Sequence, residues 1–152
     1  MVKQEFMQKA IALAYENVQK KGEPYGAVVV KDGEIVGTGV NDVKAANDPT
    51  AHAEIQAIRE ACRRLNRTDL SDCDIYASGE PCPMCLAAIY WAQCQTVYYA
   101  YPKDPSESEL GSAYIYKQLA LPANERAIAM EKVANEHPEM NPFDLWRELN
   151  RN

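Results

Sequence analysis

"YGAVVVKDGEIVGTGV", Tyr25 to Val40, reads as two short apolar strands joined at Asp32 and Gly33. An Asp-Gly pair between two such runs signals a tight β-hairpin, because both residues tolerate the positive φ that a twisted two-residue turn requires. The sheet therefore starts antiparallel. Upstream, Phe6, Ala10, Leu13, Ala14 and Val18 recur at steps of three and four between Lys3 and Lys20, which predicts an amphipathic helix lying on one face of that sheet. Downstream, the patterning predicts a helix from about Ala51 to Leu65 with Thr50 as its N-cap, and a strand from about Cys73 to Ala77. A helix from Pro81 to about Ala92 and a strand from Thr96 to Tyr101 follow. Strand-helix alternation after a hairpin predicts an α/β fold whose mixed sheet carries helices on both faces. "KDPSESELG", Lys103 to Gly111, reads as a loop, followed by a short helix near Tyr114 to Leu119, a mixed segment to Val133 and a last helix from Pro142 to Leu149. No internal repeat or second domain is evident, so residues 1–152 read as a single domain.

Composition narrows the function. Lys and Arg number 16 against 22 Asp and Glu, a net charge of −6, which opposes binding to a phosphate backbone and makes nucleic acid an unlikely partner. The basic stretch "REACRRLNR", Arg59 to Arg67, is a solvated helix face. No apolar run approaches membrane-spanning length and the first ten residues lack the layout of a secretory leader, so a cytoplasmic location is expected, without membrane partners. In a reducing compartment five cysteines do not suggest a disulfide framework. Cys62 at helical core spacing, Cys73 at a strand start and Cys94 beyond a helix end read as packed thiols.

Cys82 and Cys85, in "PCPMC", fall in the first turn of a helix and share one face of it. The partial positive charge there favours thiolates. Such a pair alone is compatible with metal binding, redox chemistry or packing. His52, in "TAHAE", changes the balance: two cysteines and one histidine make three ligands with one corner left for water, the arrangement of catalytic rather than structural zinc. Zinc brings the pKa of bound water down to about 7, and Glu54, two residues after His52, is positioned to carry the proton. His137 lies in a polar turn away from both helix starts and is not taken as a fourth ligand.

"HAE" with "PCPMC" resembles the H-x-E and P-C-x-x-C signature of the zinc nucleobase deaminases. "NDPTAHAE", "EPCPMCLAAIYWA" and the late "PFDLWR" look like the bacterial, guanine-directed branch of the cytidine-deaminase-like superfamily, and the likeness runs nearly from end to end. The resemblance implies a three-layer α/β/α sandwich with about five strands. It also implies one zinc per subunit, with a bound water or hydroxide, on His52, Cys82 and Cys85, and Glu54 as the catalytic proton shuttle. Guanine would become xanthine and ammonia.

Carried over position by position, the resemblance implies substrate contacts from Asn41, the N–H of Ala53, the rings of Tyr25 and Trp91, and a C-terminal carboxylate, Glu139 or alternatively Glu136. Members of this branch tend to have an acidic pair just before a stretch like "YIYK". Here the line reads "LGSAYIYK", with Gly111 and Ser112 at those places, so Ser112 would supply a hydroxyl where a carboxylate is usual. The resemblance also implies a homodimer in which the tail from about residue 134 to 152 covers an active site, possibly that of the partner. Competing readings are a nucleoside, cytosine or triazine deaminase, a tRNA adenosine deaminase, a non-catalytic zinc module and a thiol redox protein.

Overall fold

The computed structural model of the chain describes residues 2–103 and 111–151. Four strands form one mixed sheet in the order β2-β1-β3-β4, from β1 (Gly26–Lys31), β2 (Glu34–Val40), β3 (Cys73–Gly79) and β4 (Thr96–Tyr101). β1 pairs antiparallel with both β2 and β3, whereas β3 and β4 run parallel. The hairpin closes as its sequence predicts: Lys31 pairs with Glu34, and Asp32 and Gly33 both adopt positive φ, 50° and 76°.

β1 shows why the sheet is covered twice. Ala27 and Val29 point to one face and Val28 and Val30 to the other, and all four are buried. Val28 and Val30 pack with Tyr76 against Phe6 and Ala10 of α1 (Lys3–Gln19). Ala27, Val29 and Ile75 pack against Ala53, Ala57 and Ala61 of α3 (Ala53–Leu65) and Ile89 of α4 (Pro83–Ala92). This is the expected three-layer sandwich.

The differences are local. The sheet has four strands among the described residues, not about five, because the chain after β4 offers no alternating apolar run and instead forms α5 (Ser112–Ala120) and a 3-10 turn (Ala123–Glu125). The four-residue α2 (Val43–Ala46) is too short to show a period in sequence. α3 begins at Ala53, with His52 rather than Thr50 as N-cap, because both the Thr50 N–H and hydroxyl donate to Asp48 Oδ1, at 2.8 and 2.6 Å. α4 likewise begins at Pro83, with Cys82 as N-cap, so Pro83 and not Pro81 takes the first helical position. Most of the predicted loop, residues 104–110, lies outside the described residues.

Two units can be distinguished, residues 1–117 and 118–152. The second contains α6 (Pro142–Leu149), capped by Asn141, whose Oδ1 accepts from the N–H groups of Phe143 and Asp144 at 2.9 and 3.2 Å. No helix among the described residues is long and apolar enough to cross a membrane.

Candidate metal centre and its pocket

Two helix N-termini meet near the carboxyl end of β3. His52 and Cys82 are the N-cap residues of α3 and α4, both in extended backbone, and Cys85 is one turn into α4. The glycines of β2 let α3 approach: a Cβ on Gly39 would run into the carbonyl of Ala53, and one on Gly37 into that of Ala57.

His52 Nδ1 lies 3.5 Å from Cys82 Sγ and 3.4 Å from Cys85 Sγ, and the three ligand atoms are all within 4.8 Å of one another. Tetrahedral zinc with bonds of about 2.3 Å to sulfur and about 2.0 Å to nitrogen requires an N···S edge of about 3.5 Å. The donor set therefore fits zinc as it stands. Among the described residues no other cluster of His, Cys, Asp and Glu has this spacing.

The electrostatics suit thiolate ligands. The Cys82 thiol is pulled down to about 4, first by a side-chain hydrogen bond from Cys85 and then by His52, against the cost of burial. The Cys85 N–H also points at Cys82 Sγ, at 3.5 Å. Cys85 is pushed up because it holds the proton that the pair shares and because it is buried. His52 holds its proton more tightly, chiefly through the hydrogen bond to Cys82.

Glu54 is only 6% exposed, and burial raises its carboxyl above the usual range although its own backbone N–H and Cys85 work the other way. Asn41, Glu54 and Ser78 are the buried polar side chains among the described residues. Two of the three, Asn41 and Glu54, line the same cavity of about 280 Å³, together with His52, Cys82, Tyr25 and Ser112. Asn41 Oδ1 accepts from the Val43 N–H at 3.2 Å, which orients its amide. Ala53 is fully buried at the first position of α3, where an N–H has no helical carbonyl to bond.

The cavity contains two carboxylates that sequence reasoning did not single out, Glu23 and Glu80. Glu80 precedes the cysteine motif directly, and adjacency was its available signal. Glu23 sits in the turn before β1, which is brought to the pocket by the Asn41 N–H, donating to the Tyr25 carbonyl at 3.2 Å, and by the side chain of Asn17. Tyr116 on α5 donates its hydroxyl to the Pro81 carbonyl at 3.1 Å, and Lys103 lies 3.5 Å over the same ring, so α5 is tied to the start of the motif.

Trp91 is not brought to the cavity. It is 85% exposed and borders a separate apolar cleft with Ile55, Ile58 and Cys62, because six residues beyond Cys85 place it about 9 Å further along α4. Glu139 belongs to the second unit, where its carboxylate meets His137 Nδ1 at 3.3 Å; Glu136 lies in the same exposed stretch.

Residues 1–101 match the family described as the cytidine and deoxycytidylate deaminase zinc-binding region. Over 145 residues, 93% of this chain and 92% of the other, the sequence is 48% identical to a guanine deaminase of Bacillus subtilis (strain 168). Over 100 residues, 66% of each chain, it is 42% identical to a tRNA-specific adenosine deaminase of Aquifex aeolicus (strain VF5). The X-ray structure of guanine deaminase from Bacillus subtilis superposes with a TM-score of 0.91 at 45% identity, covering 100% of this chain and 98% of that one. A guanine deaminase from Nitrosomonas europaea superposes with a TM-score of 0.65 at 29% identity, covering 68% of this chain and 60% of the other.

Proposed function

The chain belongs to the cytidine and deoxycytidylate deaminase zinc-binding family, and from that premise we propose that it hydrolyses guanine to xanthine and ammonia, using one zinc ion per subunit. The observation that carries the choice of guanine is the extent of the likeness: the guanine deaminase matches over 93% of the chain, the tRNA-specific enzyme over 66%. A net charge of −6 also disfavours a polyanionic substrate.

His52, Cys82 and Cys85 would hold the ion, which would lower the pKa of water and so supply a nucleophile at neutral pH for the carbon bearing the exocyclic amine. Glu54 carries the protons. It takes one proton from water and delivers it to the adjacent ring nitrogen, then takes the second from the hydroxyl now on the carbon and passes it to the amine, so that the C–N bond breaks, the carbonyl forms and ammonia leaves. Its burial supports that role, since a carboxyl with a raised proton affinity can both accept and donate near neutral pH. The amide of Asn41 and the N–H of Ala53 are donors for the base, Tyr25 offers it an aromatic face, and Ser112 adds a hydroxyl.

A homodimer is part of the same reading, with the tail from about residue 134, Glu139 included, covering a partner's active site. The exposed Phe143, Leu145, Trp146 and Leu149 of α6 support it, being apolar surface that a second copy could bury. A cytoplasmic location, where free thiols stay reduced, completes it; all five cysteines are unpaired.

The test is ammonia release by the zinc-loaded protein from guanine, guanosine, cytosine, adenine and ammeline. Guanine should be the preferred substrate, and Glu54→Ala should lower kcat by about 10²–10⁴-fold with zinc retained. Release from another base with guanine inert would move the substrate, and silence on all five with zinc bound would favour a binding module.

A further inference from the structure

Guanine presents two N–H donors side by side at the edge that reacts, the ring N–H and the 2-amino group. A pocket that selects it needs an acceptor facing both, and a carboxylate serves best because it accepts with both oxygens and donates with neither. Ser112 offers a single hydroxyl instead.

The cavity lining includes three carboxylates, Glu23, Glu54 and Glu80. Glu54 is assigned to proton transfer. Glu80 is engaged by Lys103, accepting from its backbone N–H at 3.2 Å and pairing with its ammonium at 3.5 Å. Glu23 remains, half-buried, with no ion-pair or side-chain hydrogen-bond partner among the described residues. Glu23 lines the same cavity as His52 and Cys82, so it shares a pocket with the metal centre.

The backbone that carries this free carboxylate is tied down. Asn17 Nδ2, on α1, donates to the carbonyl of Glu23 at 2.8 Å and to that of Asn41 at 2.9 Å. The Tyr25 N–H closes a tight turn on the same Glu23 carbonyl at 2.9 Å, and the Gly22 N–H donates to the Asn17 carbonyl at 2.8 Å. A single side chain thus sets Glu23 and Asn41 next to each other at the cavity wall. An unpartnered charge on a fixed backbone, facing a ligand cavity, is the arrangement of a preorganised contact.

We propose that Glu23 is the specificity-determining carboxylate of this pocket, accepting from the ring N–H and 2-amino group of guanine where Ser112 cannot. The inference rests on the guanine reading above. It implies a discrimination that an amide would reverse. 2-Aminopurine keeps the amino group but has an acceptor nitrogen in place of the ring N–H, so it repels a carboxylate and suits the acceptor-plus-donor face of glutamine.

The experiment measures KM for guanine, and the binding constant of 2-aminopurine as a competitor, in the zinc-loaded wild type and in Glu23→Gln, with zinc content and unfolding temperature as controls. The guanine KM should rise at least about tenfold while 2-aminopurine binds no more weakly than before, with both controls unchanged. An unchanged guanine KM, or an equal loss for both bases, would overturn the assignment of Glu23 while leaving the deaminase reading intact. A wild type inert towards guanine would overturn both.

Discussion

The five cysteines are treated in two opposite ways. Cys82 is held as a thiolate at a helix N-terminus, whereas burial pushes the thiols of Cys73 and Cys94 up to about 11 and about 12. The second pair makes stability depend on pH. Once unfolded, both thiols ionise from about 9, but in the folded chain they keep their protons until about 11 to 12, so above 9 the unfolded state binds fewer protons than the folded one. Stability should therefore be flat in this respect below pH 9 and should fall as the pH rises beyond it. Urea midpoints at about pH 8 and about pH 10 check this, and Cys94→Ala should flatten the decline. That these thiols would be packed rather than reactive was legible from their places, Cys73 at a strand start and Cys94 just beyond a helix end. Glu23 was not legible: a lone charge in a turn has no period, and its meaning comes from Asn17, 24 residues before the Asn41 that it also holds.

α3 reaches the metal centre only because β2 has no side chain at Gly37 and Gly39 to keep it away. Gly39→Ala would push a methyl into the Ala53 carbonyl, displacing the helix turn that begins beside His52. The expected cost is about 1–3 kcal/mol of stability together with weaker zinc retention. Denaturant unfolding and zinc competition with a chelator measure the two effects separately; a loss of stability with normal zinc retention would show that the helix start moves independently of the strand. β4 and α6 were legible to the residue, and the hairpin to within one residue at Tyr25, because Asp-Gly, Pro and alternation are local signals. Both helix starts near the metal were misjudged by two residues, since Thr50 has the right chemistry for a cap but is committed to Asp48, and Pro83 suits a first helical position as well as Pro81 does. The extra strand came from the resemblance and not from any alternating run after Tyr101. Trp91 was carried over in the same way, and the helical rise takes it past the cavity.

Apolar residues on an amphipathic helix look the same in sequence whether they meet their own chain or another. Phe143 and Trp146 of α6 are 70% and 66% exposed, large for side chains of that kind, and this is what the homodimer reading explains. Light scattering on a sizing column should give a mass near twice 17.0 kDa, and the double variant Phe143→Ser, Trp146→Ser should shift it towards one chain and lower activity. An active single chain would remove the partner from the catalytic account. The first unit has a further property of its own. His52, Glu54, Cys82, Asn41 and Glu23 lie near one end of the sheet, while the Asp32–Gly33 tip closes the other end of β1, about 20 Å away along six residues. A Cβ on Gly33 would touch nothing within 4 Å. That tip is consequently a natural attachment point: a peptide handle or surface tether spliced there would leave the pocket facing outward and open to its substrate.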